Sequence, residues 1–109
     1  MTMPTNLNGT ERLSIVLHGF VQGVGFRPMV YRLAQRLHVA GWVRHSGEGL
    51  EIEVEGSSEQ LDEFLHDLKR KRPAAAEVTR EEVSRIAPTG AIWFEILPDD
   101  EVISDEEAV

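Results

Sequence analysis

The sequence predicts an α+β domain in which two amphipathic helices cover one face of a β-sheet, and three observations predict it. Strand-like alternation of apolar and polar residues recurs near the start, in the middle and near the end of the chain. Two further stretches place their apolar residues at helical spacing. The elements follow in the order β-α-β-β-α-β, with one extra short strand. A sheet with one apolar face needs a covering layer, and two helices with one apolar stripe each supply it. That arrangement is the ferredoxin-like two-layer sandwich, an antiparallel sheet with two helices on one face. At 109 residues the chain holds one such domain with its own core.

Taken in order, residues 1–11, "MTMPTNLNGTE", are polar and turn-rich and predict a disordered N-terminus. From Arg12, the apolar Leu13, Ile15 and Leu17 alternate with Ser14, Val16 and His18, which predicts a strand with one apolar face. A glycine-rich loop follows, and from Pro28 the positions Met29, Val30, Leu33, Ala34 and Leu37 give a helix ending before Gly41. "GWVRHSGEGLEIEVEG" reads as a hairpin that turns at Gly47-Glu48-Gly49, with Leu50, Ile52 and Val54 facing in and Glu51, Glu53 and Glu55 forming a solvated acidic face. Ser57 and Gln60 have capping-box spacing ahead of Leu61, Phe64, Leu65 and Leu68, and Pro73 closes this second helix. "EVTREEVSRI" is a strand whose alternation slips, as at a bulge. "AIWFEIL" ends the fold as a short strand with Ile92, Phe94 and Ile96 on one side. The folded domain is therefore expected over residues 12–97, with 98–109 as an acidic tail or linker.

Charge and composition narrow the function. The net charge of −8 is concentrated at the end, where "DDEVISDEEAV" holds six acids and no base, leaving 13 acids against 11 bases elsewhere. A near-neutral body lacks the basic footprint of a nucleic-acid binder. The inner strand "LEIEVEG" carries glutamates where an RNA-binding sandwich of the same topology needs stacking rings. There is no cysteine, so no disulfide, thiolate ligand or Cys nucleophile, and His18, His38, His45 and His66 lack metal-ligand spacing. No metal or cofactor is expected. No apolar run reaches membrane-spanning length and no signal peptide is recognisable, so the expectation is a cytoplasmic monomer. "KRKR" at Lys69–Arg72 suits the last turn of a helix, Trp42 and Trp93 suit core or edge packing, and His18 ends its strand beside the glycine loop.

That loop, "QGVGFRP", carries the chemistry. A residue before proline is pushed toward extended backbone, and proline suits the first helical position, which puts Arg27 at the N-cap. Arginine cannot accept the hydrogen bonds that Ser, Thr, Asp or Asn would take there. The amides at the helix start then need another acceptor beside a guanidinium, and an anion satisfies both. Gly23 and Gly25 allow successive N–H groups to converge as a nest for phosphate oxygens. The same spacing also fits a merely tight strand-to-helix turn.

"LHGFVQGVGFRPMVYRLAQRL" followed by "GWVRHSGEGLEIEVEG" resembles the acylphosphatase family over roughly Arg12 to Leu97. The "GFRP" form and "IEVEG" are most similar to the N-terminal acylphosphatase domains of carbamoyltransferases in nickel–iron hydrogenase maturation. The resemblance implies hydrolysis of the carboxyl-phosphate bond of a small acyl phosphate, or of carbamoyl phosphate where further domains of the same polypeptide are present. It implies that the amides of Gln22, Gly23, Val24, Gly25 and Phe26 hold the phosphate with Arg27. It also implies that a residue in the "GWVR" strand orients the attacking water. The family has asparagine at that position and this chain has His45. Asparagine offers a compact donor and acceptor, whereas neutral histidine spreads them across a ring. The alternative reading is therefore a weak or inactive phosphate- or partner-binding module of the same fold.

Overall fold

The computed structural model describes residues 9–47 and 49–99. Its elements are β1 (Thr10–Phe20), α1 (Phe26–Leu37), β2 (Ala40–Ser46), β3 (Gly49–Ser57), α2 (Ser58–Arg70), β4 (Glu77–Ile86) and β5 (Phe94–Ile96). The sheet runs β4-β1-β3-β2-β5. β1 opens at Thr10, two residues before the alternation becomes regular. The N-terminal residues 1–8 and the acidic residues 100–109 lie outside the described part.

The two-layer sandwich forms because the expected apolar faces meet. Ile15, Leu17, Leu50, Ile52, Val54 and Val43 from the sheet close against Val30, Leu33 and Ala34 of α1 and Leu61, Phe64 and Leu68 of α2. α2 begins with the capping box: Gln60 N–H donates to Ser57 Oγ at 3.1 Å and Ser57 N–H to Gln60 Oε1 at 2.8 Å. The Gln60 side chain also donates to the Leu37 carbonyl at 3.0 Å, so it closes the end of α1. The helices are tied again by buried Asp67, which accepts from Arg36 at 2.8 Å and Arg70 at 3.1 Å. Arg36, first of these, holds its carboxyl below the usual range.

Three sequence expectations need correction. The sheet is mixed rather than wholly antiparallel, since β5 pairs with β2 in parallel, Gly41 opposite Phe94 and Val43 opposite Ile96. After β4 at one edge, the chain enters the other edge from the end at which β2 starts, and so runs with it. β5 is also only three residues long, and Phe94 alone is buried. Its ring meets Tyr31 of α1 edge-on at 6.4 Å, while Ile92, Ile96 and Trp93 (64% exposed) face solvent. The slip in β4 lies at its start: His18 pairs with Arg80 and Gly19 with Val78, leaving Thr79 as the bulged residue.

The third correction concerns the glutamate row, which is not a solvated face. Glu55 is 4% exposed and Arg12 3%. Arg12 donates to Glu55 Oε1 at 2.8 Å and to Glu53 at 2.9 Å. Glu55 also accepts from Thr89 N–H at 2.9 Å and Gly90 N–H at 2.8 Å. Burial alone would raise its pKa, yet these donors prevail and hold it below the ordinary value. The cluster fastens the segment between β4 and β5, and with it the path of the last strand.

Candidate active site

β1 ends at Phe20 and α1 begins at Phe26, so five residues make the connection that the sequence marks as an anion cradle. The N-cap is Gly25, at φ 89°, not Arg27. Arg27 lies inside the first turn and Pro28 follows it at the third helical position. Proline is tolerated there because the first four helical N–H groups have no intrahelical acceptor, so none is lost. Gly25 and Gly23 (φ 75°) both adopt left-handed backbone, which a side chain would disfavour. Gly25 has no side chain with which to cap the helix, and none caps it.

The consequence anticipated for the amides survives this shift. Val21 N–H donates to the Gly19 carbonyl at 3.1 Å and Met29 N–H to the Gly25 carbonyl at 3.3 Å. Between them, the N–H groups of Gln22, Gly23, Val24, Gly25, Phe26 and Arg27 find no acceptor among the described residues. Gln22, Gly23 and Gly25 are exposed, whereas Val21 and Phe26 are buried and anchor the loop to the core. The backbone is thus held firmly at both ends with its donors unfilled between.

β2 delivers His45 to the same place. Its ring is 4% exposed, and Nε2 lies 3.4 Å from the Val21 carbonyl. A carbonyl only accepts, so Nε2 carries the proton. Burial first, and the Arg27 charge second, hold the imidazole below its ordinary pKa; the Val21 carbonyl and the Asp99 carboxylate oppose them without prevailing. His45 is therefore neutral at pH 7 and Nδ1 is a bare acceptor. That atom is buried without a hydrogen-bond partner. Arg27 is half-buried beside it and, among the described residues, pairs with Asp99, with Nη1 2.9 Å from Oδ1. The same oxygen is 3.9 Å from His45 Nδ1.

All the residues singled out from the sequence thus converge at one end of the sheet: Arg27, His45 and the Gln22–Phe26 backbone. Asp99 joins them, although it opens the acidic run that reads as tail. The signal that could have found it is β5, since pairing with β2 in parallel carries the chain past Ile96 alongside His45. His18 takes no part; its Nε2 faces Glu82 at 3.4 Å. A concavity of about 680 Å³ lies at the opposite end near His38 and Trp93, and its carboxylate, Glu55, is already satisfied. Among the described residues no cluster of His, Asp and Glu could hold a metal ion, and no helix is long and apolar enough to cross a membrane.

Known proteins are similar to this chain in sequence and fold. The Acylphosphatase family model matches residues 13–96. Carbamoyltransferase HypF2 of Cupriavidus necator is 52% identical over 69 residues, which are 63% of this chain and 9% of that protein. An acylphosphatase of Synechococcus sp. (strain RCC307) is 44% identical over 81% of this chain and 75% of its own length. Among solved structures, full-length HypF in a phosphate- and nucleotide-bound form superposes with a TM-score of 0.80 at 31% identity, over 84% of this chain and 12% of that one. Acylphosphatase from Bacillus subtilis gives 0.74 at 32% identity, over 80% of this chain and 98% of that one. The chain spans about a tenth of the length of the carbamoyltransferases it matches, 9% and 10% for two of them.

Proposed function

Because the chain belongs to the acylphosphatase family, we propose that it hydrolyses the carboxyl-phosphate bond of a small acyl phosphate at the end of the sheet where Arg27 and His45 meet. The observation that carries this reading is the row of acceptor-less amides from Gln22 to Arg27, set against a guanidinium and a buried imidazole with a bare Nδ1. Phosphoryl oxygens fill the amides, and Arg27 neutralises the charge that gathers on them. Water held by Nδ1 attacks phosphorus. The P–O bond to the acyl group breaks with its electron pair on the departing carboxylate, and the water's proton passes to that carboxylate or to a phosphoryl oxygen. No protein nucleophile is needed, since positioning and charge neutralisation carry such a transfer. The similarity to the carbamoyltransferases supports carbamoyl phosphate as the substrate and a place at the start of a larger polypeptide, with residues 98–109 as linker.

The test is steady-state hydrolysis of acetyl, benzoyl and carbamoyl phosphate, with inorganic phosphate as competitor. Turnover by the native sequence and its loss in Arg27→Ala are expected. Phosphate binding without turnover of any of the three would replace this reading with a non-catalytic phosphate-binding module.

A further inference from the structure

Among the described residues, Asp99 is the one side chain at the cradle whose chemistry runs against binding an anion. Its carboxylate is itself an anion, and a single oxygen faces both Arg27 Nη1, at 2.9 Å, and His45 Nδ1, at 3.9 Å. The space between those two groups is where a phosphate and its attacking water have to stand. We propose that Asp99 is a built-in competitor, an internal carboxylate that occupies the anion site in the free protein and that a phosphate-bearing ligand displaces. The inference rests on the functional reading above.

The position is delivered by the fold. Leu97 N–H donates to the Val43 carbonyl at 2.9 Å, which extends the parallel β2–β5 pairing and fixes the chain two residues before Asp99. The carboxylate is nonetheless easy to release, because the Asp99 and Arg27 side chains are 37% and 33% exposed. A half-exposed pair of this kind contributes little, and water receives the freed carboxylate readily. A phosphate dianion brings twice the charge and enough oxygens for amides that Asp99 leaves unfilled. Were both anions to stay, they would repel at close range beside one guanidinium. Displacement follows, and the free protein's closed fraction weakens every Arg27-dependent anion by the same factor. Occupancy of the site is then coupled to release of the Asp99 side chain.

The probe is inorganic phosphate, titrated calorimetrically into the full chain at pH 7 and low salt. Asp99→Asn and Asp99→Ala are expected to bind it about two- to fivefold more tightly than the native sequence, the range a part-exposed ion pair allows. The gain should shrink as salt is added. Glu95→Gln removes the same charge from an exposed site on β5 and is expected to leave the affinity where it was. Equal or weaker binding by both Asp99 variants would overturn the proposal and make Asp99 a support for Arg27. A gain matched by Glu95→Gln would reduce it to net charge. If neither native nor variant chains bind phosphate at millimolar concentration, the anion site itself is wrong, which is a different failure.

Discussion

The two ends of the sheet both gather charge, and they leave it in opposite conditions. Arg12 and Phe20 stand at opposite ends of β1, about 25 Å apart along an extended chain. At the first end, Glu55 takes hydrogen bonds from Arg12, Thr89 and Gly90, and Arg12 also reaches Glu53. At the other end, consecutive amides find no acceptor among the described residues and His45 Nδ1 is buried without a hydrogen-bond partner among them. A buried polar group without a partner costs free energy, so a fold keeps one where something else completes it. The satisfied end holds the fold together, and the unfilled end is the proposed anion site.

The sharpest way to break this contrast is to reverse it. Glu55→Ala leaves the buried Arg12 guanidinium with Glu53 as its remaining carboxylate and frees the segment around Thr89, so the loss should reach at most the about 3–5 kcal/mol of a fully broken buried ion pair. A urea midpoint well below that of the native chain is expected. Glu55 also belongs to a group whose folded pKa is depressed. Its contribution is complete above the ordinary glutamate value and disappears as pH falls through the folded one. Arg27→Ala should do the converse: the fold is kept, because Arg27 is half-buried and its partner among the described residues, Asp99, is itself part-exposed, while hydrolysis falls by about 10²–10³-fold, the usual effect of removing a charge-stabilising donor. A large loss of stability without loss of turnover in Arg27→Ala would erase the distinction between the two ends.

How legible each end was follows from the range of the forces that build it. Leu13, Ile15 and Leu17, or Leu61, Phe64 and Leu68, announce their elements because burial is set by local periodicity, and the core uses them as read. The cradle was legible because its glycines and its lack of a capping side chain are local too. Even there the helix starts at Gly25's neighbour rather than at Pro28, since proline restricts where an N–H is missing and does not dictate which turn it occupies. Glu55 and Asp99 were misread as solvated acids. Arg12 lies 43 residues from Glu55 and meets it through the β1–β3 pairing, while the passage from β4 to β5 brings Thr89 to Glu55, 34 residues away, and Asp99 to Arg27, 72 residues away.

His45 allows a finer cut within the functional end. With Nε2 committed to the Val21 carbonyl, its neutral ring offers only an acceptor to water, whereas asparagine offers donor and acceptor together. One further hydrogen bond to the water is worth about 0.5–1.5 kcal/mol, so His45→Asn is expected to raise turnover roughly two- to tenfold with phosphate binding little changed. Turnover that stays level or falls would mean that the imidazole acts through its ring or its charge rather than as a substitute amide.

The charge alternative makes its own demand on pH. Burial and Arg27 hold the imidazole below its ordinary value, so the unfolded chain takes up the proton before the folded one does. Stability therefore falls with pH from near the ordinary imidazole pKa of about 6.5 downward, until the folded ring is protonated as well. Protonation also fills the Nδ1 lone pair, which ends its service as an acceptor for water. Turnover should hold level from alkaline pH down to about 6.5 and decline only below that value. Asp99 opposes the downward shift, so Asp99→Asn should move the decline further toward acid, and His45→Asn should abolish the part that the ring causes. A decline centred at or above 6.5, or one that survives His45→Asn unaltered, would place the titrating group elsewhere and leave the bare Nδ1 without the role its geometry gives it.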